Sequence, residues 1–236
     1  TGVPDLGDIR MLPFNQNLQG ERFFCRYERE TQVAMPGYYS VKLADMNIDV
    51  ELTATERTAM HRYTFNQPGE ANLLLDLQNG LVFDSKNVRY RVLEGEVEML
   101  DNKTIAGYNR VRGWVARYFY YMIVFDRPYT VKKELPQEEG EKAKRFILEF
   151  DLKEGESVQV KVALSTVGIE GAKVALDKEN PGWNFESIKA ETNGKWNDML
   201  SLAEVEGTEE EKMNFYTSMY HLFIQPTIIA DIDGKY

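Results

Sequence analysis

The residues best suited to chemistry lie in an acidic turn near the end of the sequence. Asp231 and Asp233 flank one isoleucine and precede Gly234, directly after the apolar stretch around Pro226. Two aspartates two residues apart, followed by glycine, are superficially similar to the start of a calcium loop, but no later ligand of such a loop follows before Tyr236. The same carboxylates can accept charge-assisted hydrogen bonds from a ligand with neighbouring hydroxyl groups.

The opening segment carries a second pair of carboxylates, Asp5 and Asp8. Glycines and Pro4 surround them, and this composition predicts a loop. Such a loop either leads into the first sheet or presents its carboxylates to a cleft, and the local sequence does not decide between the two.

The chain has two histidines, which are too few for a His-rich metal site. His61 lies in a strand-like segment and is expected to be structural. His221 lies on a predicted helix just before the acidic turn, where a structural role is favoured over a cleft-facing one. Cys25 is the only cysteine, so neither an intrachain disulfide nor a multi-cysteine metal site can form.

Charge and composition exclude several kinds of partner. The net charge of −10 makes nucleic acid an unfavourable partner, because phosphates and an acidic surface repel each other. An anionic membrane surface is disfavoured for the same reason, and no apolar run is long enough for a membrane span. A neutral ligand is compatible with the charge. The sequence begins at Thr1, so we expect that a signal peptide could have been removed.

The elements that must position these residues are mostly strands. From about residue 38 to 167, segments rich in Val, Ile, Tyr, Phe and Thr alternate in polarity with period two, as half-buried antiparallel strands do. No helical pattern separates them, which predicts a mainly β fold, a large antiparallel sandwich with at least eight strands. The predicted segments are 38–44, 48–65, 71–78, 87–100, 114–126, 145–152 and 157–165.

Helical patterns follow the strands. A short helix is predicted over 170–179 and a longer one over 185–203. A third helix begins at Thr208, where Glu211 completes a capping box, and it ends before Pro226. The predicted organisation is a sandwich over 1–167, a helical linker over 168–207, and the start of a second domain over 208–236.

Several stretches together resemble the bacterial α-mannosidases of glycoside hydrolase family 92. The segment 215–236 is similar to the family's Phe-Tyr-x-x-x-Tyr-His…Pro…Asp-x-Asp-Gly-Lys-Tyr motif, and 162–192 is similar to its passage from sandwich to linker. Weaker similarities cover 1–8, the Pro-Gly-Tyr-Tyr strand within 34–43, and 111–129. One departure is that Glu28 and Arg29 stand where the family often has a Ser-His pair.

The resemblance implies a galactose-mutarotase-like supersandwich joined by helices to an (α/α)6 barrel, with the barrel largely beyond Tyr236. It implies calcium-assisted, inverting exo-hydrolysis of α-mannosides by a secreted, periplasmic or outer-surface lipoprotein enzyme. The expected linkage is α-1,2. The acid, the base and the Ca²⁺ ligands would belong to the barrel, so none is assigned to this chain. The residues expected to contact a mannose-containing glycan are Asp231, Asp233, Asp5, Asp8, Arg29 and His221.

Two other hypotheses remain open from the sequence. One is a non-catalytic glycan-binding module, which the aromatic content and the sandwich would suit. The other is a structural domain that only caps a barrel. In both cases the chain would lack catalytic activity of its own.

Overall fold

A computed structural model describes residues 7–15, 23–80, 91–112, 115–224 and 227–236. These residues form twelve strands and three α-helices. In chain order the strands are β1 (Arg10–Phe14), β2 (Val33–Met35), β3 (Tyr38–Leu43), β4 (Ile48–Ala54), β5 (Thr58–Phe65), β6 (Ala71–Asp76), β7 (Val92–Met99), β8 (Thr104–Arg112), β9 (Ala116–Phe125), β10 (Tyr129–Glu134), β11 (Arg145–Phe150) and β12 (Ser157–Ser165). The helices are α1 (Ile169–Glu179), α2 (Phe185–Leu200) and α3 (Glu209–Phe223).

The strands form two antiparallel sheets, as the alternating pattern predicts. The smaller sheet has the order β1-β6-β11-β10, and the larger has the order β2-β3-β4-β5-β12-β9-β8-β7. The last strand of the chain, β12, therefore lies in the middle of the larger sheet, between β5 and β9. This position brings the end of β12 next to the turn between β4 and β5, where the Leu164 backbone N–H donates to the Arg57 carbonyl oxygen.

The main core lies between the two sheets. Leu73, Leu74 and Leu75 of β6 are completely buried, as are Ile105 and Ile123 of the larger sheet. The period-two alternation of the larger sheet places one face of each strand in this core and leaves the other face for helices or solvent. Burial of this apolar surface is the main favourable term in folding.

The prediction of a loop for the opening segment is wrong over Arg10–Phe14. These residues form β1, which pairs in register with β6 along one edge of the smaller sheet. Pro13 is tolerated because β1 is an edge strand and one side of it makes no ladder hydrogen bonds. The pairing could not be read locally, because its partner lies some sixty residues later in the chain, at Arg10↔Asp76 for example.

The sequence pattern also missed β8, because Gly107 and Asn109 weaken its strand character. The structure explains the glycine: a Cβ at position 107 would overlap the Glu96 carbonyl oxygen and lie 2.5 Å from the Tyr121 hydroxyl. The segment 48–65, which the sequence left as one bent strand or two, forms two strands with a turn between Ala54 and Thr58.

The three predicted helices are present. Helix α1 packs Ala172, Ala175 and Leu176 against the outer face of the larger sheet. Helix α2 buries Phe185 and Ile188 against the same face. Its predicted end at residue 203 was too late, since the helix ends at Leu200.

Helix α3 begins with the predicted capping box between Thr208 and Glu211. It contacts α2 through Trp196 and Tyr220, whose ring centroids are 4.8 Å apart, but none of its own residues is buried. Within the described part of the chain, no helix is both long and apolar enough to cross a membrane.

Candidate functional site

The acidic turn is anchored to the sandwich through Asp231. Ser165, the last residue of β12, donates a hydrogen bond from Oγ to Asp231 Oδ2 at 2.6 Å. The same Ser165 oxygen accepts the backbone N–H groups of Val167 and Gly168. Asp231 is 7% exposed, so its carboxylate is a buried acceptor at the junction between the sandwich and the acidic turn.

Gly171 allows this close approach. It lies in the first turn of α1, and a Cβ there would overlap Asp231 Oδ2 and lie 2.6 Å from Ser165 Oγ. Ordinary carbon contacts begin well beyond these separations. The absence of a side chain at position 171 is therefore a condition for seating the acidic turn.

Arg57 provides a second anchor from the turn between β4 and β5. Its Nε donates to the Ala230 carbonyl oxygen at 2.8 Å, and one of its terminal nitrogens binds Glu179 Oε1 at 2.8 Å. The Glu179 carboxylate also accepts the Arg57 backbone N–H and the Thr55 hydroxyl. Arg57 thus links the end of α1 to the segment that leads into the acidic turn.

Asp8 lies at the same end of the sandwich. Its Oδ1 binds Arg91 at 2.7 Å and its Oδ2 binds Arg117 at 2.6 Å, and its side chain is 3% exposed. A buried carboxylate needs such paired donors, because an isolated charge in a low-dielectric interior is costly.

Asp8 and Asp231 line one cavity of about 290 Å³. Arg57, Arg117 and Phe119 line it too, together with the segment 227–230. Two carboxylates and two guanidinium groups around a small cavity offer both acceptors and donors, an arrangement suited to a polyhydroxylated ligand. The structure therefore brings together two of the predicted site residues from opposite ends of the chain.

Asp233 lies on the other side of the acidic turn and is exposed. Lys235 binds its Oδ2 at 2.6 Å, and this hydrogen bond lowers the pKa of Asp233 below its ordinary value. Asp233 and Asp231 both line a second groove, of about 360 Å³, along α1.

The other predicted site residues lie elsewhere. Arg29 is exposed on a short 3-10 helix, Arg29–Thr31, beside β3. His221 is exposed on α3 and lines a different groove. Asp5 lies outside the described residues. The assignment of these residues to a binding site stays a prediction.

The groove that contains His221 is the largest of the described cavities, at about 920 Å³. It is lined by residues of β2–β5 and of the helices α2 and α3. Part of its lining is aromatic, and these side chains are Tyr38, Tyr39, His61, Trp196, Tyr216, Tyr220 and His221. His61 lies on its floor, with Nδ1 2.7 Å from the Tyr63 hydroxyl.

His61 should make stability depend on pH. Burial lowers its pKa to about 4 from an ordinary value near 6.5, so the folded protein favours the neutral imidazole. As the pH falls below 6.5, the unfolded chain takes up a proton at this histidine before the folded protein does. The contribution of His61 to the free energy of unfolding is therefore highest above pH 6.5 and decreases as the pH falls towards 4. We expect His61→Gln to reduce the loss of stability between pH 7 and pH 4.5 by about 1–2 kcal/mol in urea denaturation, since part of the ring faces the groove.

His221→Gln is the matched control for this measurement, because His221 is the other histidine and is exposed. The prediction would be contradicted if the free energy of unfolding of the His61 variant decreased with falling pH as much as that of the parent.

The described residues include no cluster of carboxylates of the kind that binds Ca²⁺. Ca²⁺ requires six to eight oxygen ligands, and no group of three or more His, Cys, Asp or Glu side chains is placed to hold a metal ion within the described ranges. Asp233 is engaged by Lys235, and Asp231 by Ser165. No step of a reaction is therefore assigned to a metal held by these residues alone.

Sequence reasoning missed four residues that shape the site: Arg57, Arg117, Ser165 and Gly171. Arg57 could have been suspected from its place in the polar break within the long strand pattern of 48–65. Gly171 gave no usable signal, because a glycine in the first turn of a predicted helix has no local explanation.

Comparison with known proteins matches the two parts of the chain to two domains of one enzyme family. Residues 1–165 match the sequence model of the glycosyl hydrolase family 92 N-terminal domain, and residues 171–236 match that of the glycosyl hydrolase family 92 catalytic domain. A search of curated proteins found no match.

Among solved structures, a family 92 α-mannosidase from Bacteroides thetaiotaomicron is 28% identical, with a TM-score of 0.87 over 99% of this chain and 34% of that one. The same enzyme in complex with mannoimidazole gives a TM-score of 0.86, covering 33% of that chain. A family 92 inverting mannosidase from the same organism, 20% identical with a TM-score of 0.75 over 96% of this chain and 31% of that one, shares the fold. The chain thus spans about a third of the length of these proteins.

Proposed function

Since this chain belongs to glycosyl hydrolase family 92, we propose that it is the substrate-framing part of a longer, exported exo-α-mannosidase that releases mannose from glycans. The observation that carries this proposal is the shared cavity of Asp8 and Asp231. It lies where the region matching the N-terminal domain meets the region matching the catalytic domain. The related α-mannosidase whose structure contains mannoimidazole supports a mannose-like ligand.

In this proposal the cavity residues bind and orient the sugar. Arg57 and Arg117 are donors, and the carboxylates of Asp8 and Asp231 are acceptors for sugar hydroxyl groups. Asp8 is held between the guanidinium groups of Arg91 and Arg117, which fix the position of its carboxylate. Such fixed hydrogen-bonding groups fix the position of the sugar relative to the catalytic groups.

We further propose an inverting mechanism that depends on calcium and prefers α-1,2 linkages. Inversion requires a general acid and a general base separated by roughly 6.5–9.5 Å, so that a water molecule fits between the base and the sugar. We assign both groups, and most of the Ca²⁺ ligands, to residues that follow Tyr236. When bound, the calcium would supply an electrophilic centre for sugar hydroxyl groups.

Helix α3 supports the proposal that more of a catalytic domain packs here. It is amphipathic in sequence but buries none of its residues, and Phe215 and Leu222, which are seven positions apart and share one face, are 37% and 69% exposed. An apolar helix face of this kind normally packs against another element. We propose that the following helices of an (α/α)6 barrel cover it.

The test uses the polypeptide encoded by the gene through and beyond Tyr236. We would incubate it with α-1,2-linked mannobiose, with Ca²⁺ and then with a chelator, and follow the released sugar by proton NMR. We expect β-mannose to appear first and its release to stop with the chelator. The 1–236 chain alone is the control and should release no mannose.

Retention of the anomer or activity that survives chelation would contradict the inverting and calcium-dependent parts of the proposal. No hydrolysis of the 1,2-, 1,3-, 1,4- or 1,6-linked disaccharides would contradict the enzyme itself and favour a binding or structural module.

A further inference from the structure

The outer face of β8 and β9 carries three tyrosines that the proposed site does not use. We call Tyr108, Tyr118 and Tyr120 the tyrosine face. Tyr108 and Tyr120 are direct partners across the two strands, and Tyr118 lies two residues before Tyr120. Directly opposed residues of antiparallel strands, and residues two apart on one strand, project from the same side of the sheet. The register therefore groups the three rings on one surface.

The three rings contact one another and are held in place. Their centroids are 5.7–6.2 Å apart, and the Tyr118 and Tyr120 rings lie within 17° of parallel. The Arg110 guanidinium lies 5.5 Å from the centre of the Tyr118 ring. Tyr118 is 38% exposed, a large exposed area for an aromatic ring in a sheet. A rigid, partly exposed ring loses little conformational entropy when a ligand covers it.

Polar groups border the tyrosine face. Glu94 lies opposite Arg110, and Glu96 lies opposite Tyr108 on the neighbouring strand β7. The Tyr108 hydroxyl donates to Glu94 Oε1 at 2.9 Å, and this bond raises the pKa of Tyr108 to about 12, so the phenol stays neutral at physiological pH. The surface thus combines apolar ring area with hydroxyl, carboxylate and guanidinium groups.

The tyrosine face lies next to the residue that anchors the acidic turn. Tyr120 is the direct partner of Ser165 across β9 and β12, and Ser165 binds Asp231. The row Glu96, Tyr108, Tyr120 and Ser165 therefore crosses the sheet from β7 to the anchor of the acidic turn. The tyrosine face therefore lies on the same side of the sheet as Ser165, whereas Arg117 and Phe119 of the proposed sugar cavity project from the other side.

We propose that the tyrosine face is a separate binding surface for a neutral oligosaccharide, with a pyranose ring on Tyr118 and sugar hydroxyl groups on Glu94, Glu96 and Arg110. The inference rests on the proposed function for the identity of the sugar, an α-mannan. The C–H groups on one side of a pyranose ring pack on the electron-rich face of an aromatic ring, and the equatorial hydroxyl groups reach polar neighbours.

The charges on the face favour this ligand over others. The exposed carboxylates of Glu94 and Glu96 disfavour a phosphorylated or otherwise anionic ligand. The face is an open sheet surface rather than a deep pocket, which suits a chain of sugars better than a single compact molecule.

The test is affinity electrophoresis of the full polypeptide in gels that contain a soluble α-mannan. We expect the α-mannan to retard the parent protein and Tyr118→Ala to weaken binding about tenfold, with kcat/KM on α-1,2-linked mannobiose within twofold of the parent. Tyr118→Phe keeps the ring and should bind like the parent. Tyr27→Ala removes another exposed tyrosine, 52% exposed and away from the face, and should also bind like the parent. Thermal denaturation verifies that each variant is folded.

The inference is overturned if the parent is not retarded, if Tyr118→Ala is retarded like the parent, or if Tyr27→Ala loses as much binding. Hydrolysis without retardation overturns this inference and leaves the proposed enzyme intact. Retardation without hydrolysis overturns the enzyme and supports glycan binding at the tyrosine face.

Discussion

Replacing Asp8 with alanine is expected to lower the free energy of unfolding by about 3 kcal/mol. The carboxylate is almost completely buried and binds the guanidinium groups of both Arg91 and Arg117. Its loss would remove the shared counter-charge of two arginines at the edge of the core. The cost of an unbalanced buried charge exceeds that of a lost surface pair several-fold. Urea denaturation followed by intrinsic fluorescence at pH 7 measures the change.

Asp233→Ala is the matched control for Asp8. It also removes one aspartate and one ion pair, but Asp233 is exposed and its partner Lys235 is on the same turn. We expect no measurable change in the free energy of unfolding, because an exposed ion pair contributes little. Equal effects of the two substitutions would show that burial of the Asp8 cluster contributes nothing to stability. Asp8→Ala should also lower mannose release by the full polypeptide, since it changes the lining of the proposed sugar cavity.

Replacing Gly171 with alanine is expected to destabilise the junction by about 2 kcal/mol and to displace the acidic turn. The new methyl group would occupy the space of Asp231 Oδ2 and approach Ser165 Oγ to 2.6 Å. Asp231 would have to leave Ser165, and the turn that carries it would move away from the cavity. Loss of mannose release by the full polypeptide, with most of its fold retained, is the expected result.

Gly194→Ala in α2 is the matched control for Gly171. Both glycines are in helices, but no atom lies within 4 Å of a Cβ built at position 194. Alanine there should stabilise the protein by about 0.5–1 kcal/mol, because glycine is unfavourable in a helix interior. If Gly171→Ala were also stabilising, the close approach of Asp231 to α1 would be disproved.

Local patterns in the sequence were sufficient to predict most of the secondary structure. The alternation in segments such as 157–165 and the capping box at Thr208 depend on neighbours only a few residues away, so they are readable without a fold. The mainly antiparallel architecture followed from strands without intervening helices. Net charge predicted that nucleic acid is an unfavourable partner, which stays a prediction, and the final acidic turn carried the resemblance to the family.

The proximity of the candidate site residues depends on the tertiary structure alone. Asp8 and Asp231 stand at opposite ends of the chain and meet because β12 is inserted between β5 and β9. Strand order of this kind is set by packing of whole sheets and leaves no signal in the strands themselves. The sequence likewise carries no local signal for the pairing of β1 with β6, for the contact of Arg57 with the end of α1, or for the close approach at Gly171. Each depends on a neighbour distant in sequence, so its role is set by long-range packing rather than by local pattern.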